Sequence, residues 1–134
     1  MKKVLLVLMV ILLGLSAGCG VKDDETAIQN TINNYYVGFK AEDVDKVAAT
    51  FHEDYNDGEY TKSNLVAMLP LTFALVEIHS YSIVFESTDI VENIATVNFI
   101  LTRDQTLFDA RYENAVEMEF MLKKKGSKWL IISM

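Results

Sequence analysis

A chain of 134 residues that is half apolar, with seven Phe and six Tyr, carries enough hydrocarbon for one packed domain and is not an intrinsically disordered polymer. Its 19 acidic residues outnumber 12 basic ones, so it lacks the basic face that nucleic-acid binding requires. A single Cys excludes an intrachain disulfide.

In chain order, the first segment is Lys2-Lys3, then an unbroken apolar run from Val4 to Leu13, then the small residues up to Gly18. A basic start, a short apolar stretch and a small-residue cleavage region read as a secretory signal over residues 1–18. A membrane span is the rival, but it needs about 20 apolar residues, and this run is shorter. Leu15-Ser-Ala-Gly18 directly before Cys19 resembles the bacterial lipobox. In such signals the Cys sulfur is diacylated and the bond before it is cut. That resemblance implies an exported protein held on the extracytoplasmic side of a membrane by lipid on Cys19. Plain cleavage after Gly18, leaving a free thiol, is the alternative. Stable anchoring takes two or more acyl chains, which the lipobox chemistry supplies. Loss of Lys2 and Lys3 takes the 12 basic residues to 10 against 19 acidic, a net charge of −9. The globular part would then be repelled by anionic lipid, and the acyl chains would hold it. Residues 19–25 read as a lipidated polar tether, and residues 26–134 as one domain.

Ile28, Ile32, Tyr35, Tyr36 and Phe39 fall on one face at the 3.6-residue period, which predicts a long first helix. Asp23, Asp24 and Thr26 offer capping oxygens at its start. Asp43 caps a shorter second helix through Val44, Val47, Ala48 and Phe51. Asn56-Asp57-Gly58 is a turn signal. Thr61 caps a third helix, which Pro70 should kink or end.

From Ile78 onward the period becomes two. His79, Tyr81, Ile83 and Phe85 form one row, Ala95, Val97, Phe99 and Leu101 a second, and the even positions from Ala110 to Leu122 a third. These rows alternate with Ser80, Ser82 and Glu86, with Thr96, Asn98 and Thr102, and with Arg111, Glu113, Glu117 and Glu119, so one face is buried and one is wet. Turns are expected at Glu92-Asn93, Arg103-Asp104 and Lys125-Gly126-Ser127, with a last strand from Lys128. Helices first and an antiparallel meander after them make the fold α+β.

The order of these elements, with Glu42-Asp-Val-Asp-Lys-Val-Ala48 leading to Phe51-His-Glu-Asp54 and a final Gly126-Ser-Lys-Trp-Leu-Ile131, resembles the nuclear-transport-factor-2-like superfamily, which includes ketosteroid isomerases and SnoaL-like cyclases with a cystatin-like fold. The resemblance covers residues 26–133. It implies a cone-shaped, curved antiparallel sheet wrapped around the N-terminal helices, often with an apolar pocket at its open end. Such cones serve isomerases, dehydratases, binding modules and dimers alike, so the fold leaves the function open.

A ketosteroid-isomerase-type reaction needs a buried carboxylate as general base. The inward rows contain none, and Glu113, Glu117 and Glu119 fall on the wet face. Asn114 interrupts an apolar row and either serves a pocket or bonds nearby backbone. His79 and Tyr81 share an inward parity. His52 and Asp54 could form an acid–base pair, though a spacing of two in a loop does not ensure contact. Tyr35, Tyr55 and Trp129 complete the candidate pocket. The Asp54–Glu59 stretch fails the spacing of a calcium loop, and two His are too few for zinc. No cofactor or metal is implied. The favoured reading is a lipid-anchored domain that binds a small apolar ligand or a protein partner without catalysis. The alternative is a small isomerase, dehydratase or cyclase using His52 and Asp54. A homodimer through the outer sheet face is a third reading, opposed by the charges of Arg111, Glu113, Glu117 and Glu119.

Overall fold

The computed structural model describes residues 22–134. The expectations for the signal, the lipobox and Cys19 lie outside the described residues. Helix α1 covers 22–40, α2 Val44–Ala48 and α3 Lys62–Leu75. Four strands follow: β1 Val76–Val91, β2 Ile94–Leu107, β3 Ala110–Lys125 and β4 Lys128–Ser133. They pair antiparallel in the order β1-β2-β3-β4, so each joins its chain neighbour. The curved open sheet wraps the helices as a cone.

Residues 22–25, expected in the tether, are helical. Residue 22 is already helical, so Asp23, Asp24 and Thr26 lie inside α1 and do not cap it. Asp24 is used elsewhere, as a tie to the sheet. Ile28, Ile32 and Tyr36, spaced by four, are the buried stripe of α1. Gly38 lets α2 come close, since a Cβ there would stand 2.9 Å from Lys46 Cβ and 3.0 Å from Val47 N. Asp43 caps α2 through Lys46 N, and Thr61 and Asn64 form a reciprocal capping box on α3. Pro70 does not end α3. Its ring lies on an exposed face, and the helix runs on to Leu75.

Residues after α2 cover the outer edge of β4. His52 N donates to Ile131 O at 2.8 Å, Ile131 N to Thr50 O at 2.8 Å, and Asn56 N to Ile132 O at 3.0 Å. This pairing removes an open edge that could template aggregation. The concave face of the sheet is read from successive rungs. Ile90–Ala95–Leu122 and Thr88–Val97–Phe120 lie at one end, followed by Phe85–Phe99–Met118 and Ile83–Leu101–Val116. Tyr36 stacks on Phe120 at 6.3 Å, and Phe99 meets Phe120 edge-on at 5.0 Å. The deep end of the cone is therefore filled by rings and branched hydrocarbon.

Two differences from the expected strand pattern shape the other end. The turn predicted at Arg103-Asp104 is absent. β2 runs on to Leu107, and the chain reverses at Phe108-Asp109, both at positive φ (49° and 68°). Two consecutive left-handed residues make the tight hairpin turn that matches strand twist. Arg103 and Gln105 therefore stay in the ladder, at concave positions. The second difference is a bulge between Ile78 and Ser80. The extra residue shifts the parity of β1, so that Ile78 and Tyr81 face inward while His79 turns the other way.

Candidate functional site

The open end of the cone is built by two polar rungs, Tyr81–Arg103–Asn114 and Ile78–Gln105–Tyr112, each directly cross-strand in register. Arg103 Nε donates to Asn114 Oδ1 at 3.5 Å. Gln105 Nε2 donates to the Tyr112 hydroxyl at 2.7 Å. Gln105 is only 3% exposed, and its Oε1 has no partner. Tyr35 and Tyr36 of α1 complete the wall, with Tyr81 ring-to-ring against Tyr36 at 5.7 Å. Burial pushes the Tyr35 phenol up to about 12, the positive charge of Arg103 acting the other way. Burial raises Tyr36 further, and raises Tyr81 as well. At neutral pH these phenols stay protonated.

Of the residues expected to form the pocket, Tyr35, Tyr81 and Asn114 gather here. The others do not. His79 Nε2 meets Thr106 Oγ1 at 2.7 Å, and its Nδ1 lies 3.9 Å from Glu77, on the convex side with the Asp104–Arg111 ion pair. The β1 bulge explains this reversal. His52 is buried, but its Nδ1 accepts the backbone N–H of Asp54 at 3.0 Å. The Asp54 carboxylate is 66% exposed and pairs with Lys123 at 3.2 Å. His52 Nδ1 also lies 3.8 Å from Asp54 Oδ2, so the pair does meet, but in the loop after α2 and not on the concave rungs. Tyr55 donates to Asp57 Oδ2 at 2.9 Å, while Asp57 Oδ1 accepts from Glu59 N and Tyr60 N. That hub shapes the turn around Gly58, and burial, with the acidic Asp57 beside it, holds the Tyr55 phenol high. Trp129 is fully enclosed, and its Nε1 donates to Asp24 Oδ1 at 3.0 Å. It ties α1 to the sheet at the far end from the mouth.

Arg103 and Gln105 were missed by sequence reasoning. The signal was available: extending the row Ala95, Val97, Phe99, Leu101 by two steps lands on both. The polar Arg103-Asp104 pair mimics a turn signal and hides this continuation. None of the side chains on the concave rungs is Asp or Glu. Among the described residues, grooves also lie outside the concave face. One of about 550 Å³ runs between α1, α2 and β4 past Thr31, Asn34 and Lys46. One of about 380 Å³ lies beside Phe73, Glu77 and Phe108.

No family model matches this sequence, and no curated protein does. Solved structures do match it in three dimensions. A conserved protein from Planctomyces limnophilus aligns with TM-score 0.70 and 19% identity, covering 82% of this chain and 91% of that one. An NTF2-like protein from Cytophaga hutchinsonii gives 0.68 at 14% identity, covering 81% and 93%. A ketosteroid isomerase-like protein from Erwinia carotovora atroseptica gives 0.66 at 18%, covering 81% and 90%. At these identities the likeness concerns backbone architecture alone. The described part of the chain has the nuclear-transport-factor-2-like cone fold.

Proposed function

We propose that this protein is a lipid-anchored extracytoplasmic binding domain that holds a small, largely apolar ligand at the mouth of its cone without transforming it. The observation that carries the reading is the make-up of the concave face. Its deep rungs are hydrocarbon, its mouth carries neutral or cationic hydrogen-bonding groups, and no carboxylate stands on a concave rung to serve as general base. A pocket that is apolar with a few convergent polar groups orients a ligand. A proton transfer of the ketosteroid-isomerase kind needs a base placed over the substrate, and the two His side chains are engaged elsewhere. The anchor rests on the lipobox-like segment before Cys19.

Mass spectrometry of the full chain isolated from its native membranes tests both halves. The reading expects a chain that begins at Cys19 and carries acyl mass, and native spectra with a small molecule bound to the wild type and lost from Tyr81→Asp. A chain beginning at Met1 with an unmodified thiol would sink the anchor. A ligand retained equally by Tyr81→Asp would sink the mouth as its site.

A further inference from the structure

We propose that the ligand held at the mouth is a small apolar carboxylic acid, bound as its carboxylate by Arg103 with Asn114 and Gln105 framing the charge. This rests on the reading of the cone as a binding site and adds the ligand's chemical class.

The two arginines of the chain are treated differently. Arg111 is locked to Asp104 on the convex face, with Nε to Oδ1 at 3.0 Å and Nη2 to Oδ2 at 2.6 Å. Arg103 has no carboxylate within ion-pair distance among the described residues. Its one side-chain partner there is the neutral Asn114 oxygen, which engages Nε. The two Nη groups are left for another acceptor. Arg103 is a half-buried residue whose charge is felt by Tyr35 and Tyr36 and which stands opposite Tyr81, and a cation without a counter-charge in such a place favours an anion. A carboxylate fits the planar fork in a way that a neutral group cannot.

Gln105 is a second, independent observation. A primary amide has an accepting end and a donating end, and the single hydroxyl of Tyr112 satisfies only one of them. Whichever way the amide is turned, one end of a side chain that is 3% exposed has no protein partner. Buried polar groups are nearly always paired, and an exception asks for a missing group. Turned so that its oxygen accepts from Tyr112, the amide presents N–H donors one rung from Arg103. The neighbouring rungs on the deep side, Ile83–Leu101–Val116 and Phe85–Phe99–Met118, are hydrocarbon. Leu101 and Phe99 are buried, so a ligand with its charge at Arg103 meets the half-buried Ile83 and Val116 with its aliphatic or aromatic body.

The experiment compares acids with their neutral isosteres. Calorimetric titrations of the full chain in phosphatidylcholine vesicles use 2-naphthoate against 2-naphthamide, and 4-phenylbutyrate against 4-phenylbutyramide. The wild type is expected to favour at least one acid over its amide by about tenfold or more, the size of a charge-assisted hydrogen-bond pair. Arg103→Gln should erase that preference, since the charged contact is removed. Asn114→Asp supplies an internal counter-ion and should erase the preference too, which covers the case in which Arg103→Gln does not fold. Acid and amide binding equally well would overturn the carboxylate class and leave the binding site standing. An acid preference that persists in the folded Arg103→Gln or Asn114→Asp protein would overturn the role of Arg103. Absence of binding by all four compounds at millimolar concentration would remove both the class and the binding site beneath it.

Discussion

Asp24 is the most informative residue to perturb for stability, because one carboxylate oxygen joins three elements. Its Oδ1 accepts from Trp129 Nε1 of β4 and from Lys124 Nζ of β3, both at 3.0 Å, and it sits in the first described turns of α1. The two bonds differ in worth. Trp129 is 1% exposed, so loss of its acceptor strands an indole N–H away from water. A hydrogen bond to a charged acceptor contributes about 1.5–3 kcal/mol. Lys124 and Asp24 are 34% and 27% exposed, so the ion pair adds only about 0–1 kcal/mol. Asp24→Ala should therefore cost about 2–3 kcal/mol in all. Asp24→Asn keeps an oxygen for the indole and should cost roughly half as much. Trp129 is the sole Trp, so its fluorescence in a urea titration reads the transition directly. The indole and Lys124 also hold the Asp24 carboxyl below its usual range. A depressed folded pKa stabilises the fold above the unfolded value of about 3.9, and that contribution fades as pH falls through the lower folded value. The gap between wild type and Asp24→Ala should accordingly be full at neutral pH and shrink only in strong acid. An Asp24→Ala protein within about 0.5 kcal/mol of wild type, or a gap that does not change with acid, would refute the argument.

Gly38→Ala should destabilise despite the better helix propensity of Ala, because its Cβ meets Lys46 Cβ and Val47 N at about 3 Å; overpacking costs about 1–3 kcal/mol, seen in the same urea titration. Phe120→Ala removes the ring that Tyr35, Tyr36 and Phe99 share, and should cost about 3–5 kcal/mol by the same assay. Tyr35 should resist ionisation in an ultraviolet pH titration until about pH 12, above the ordinary phenol value of about 10. The raised folded value means that stability is intact below the unfolded phenol pKa and declines as pH climbs from about 10 toward 12. Tyr35→Phe should lessen that alkaline decline, with Tyr36, Tyr55 and Tyr81 accounting for the rest, as measured by the urea midpoint across the same range.

The secondary structure was largely legible because each element announces its period. The α1 stripe of Ile28, Ile32 and Tyr36 is buried at the predicted spacing, and Asp43 and Thr61 cap the helices expected of them. Alternation from Ala95 to Leu101 and from Asn114 to Leu122 correctly named the concave face. It failed where local chemistry mimicked another signal. Arg103-Asp104 looks like a turn, yet both are held in the ladder by partners far along the chain, Asn114 and Arg111. A one-residue bulge likewise reversed His79, since a slip of one exchanges the faces of a strand.

By itself the amino-acid order determined the class of fold, the inward hydrocarbon rows and the absence of a placed carboxylate, because apolar periodicity is a local property of the chain. Which polar residues meet at the mouth was decided only by tertiary structure. Register, bulge and the Phe108-Asp109 reversal set those meetings, and each depends on pairing between strands that the chain brings together only when folded. The same pairing sends His52, His79, Tyr55 and Trp129 to structural posts and brings Arg103 and Gln105 into the cone.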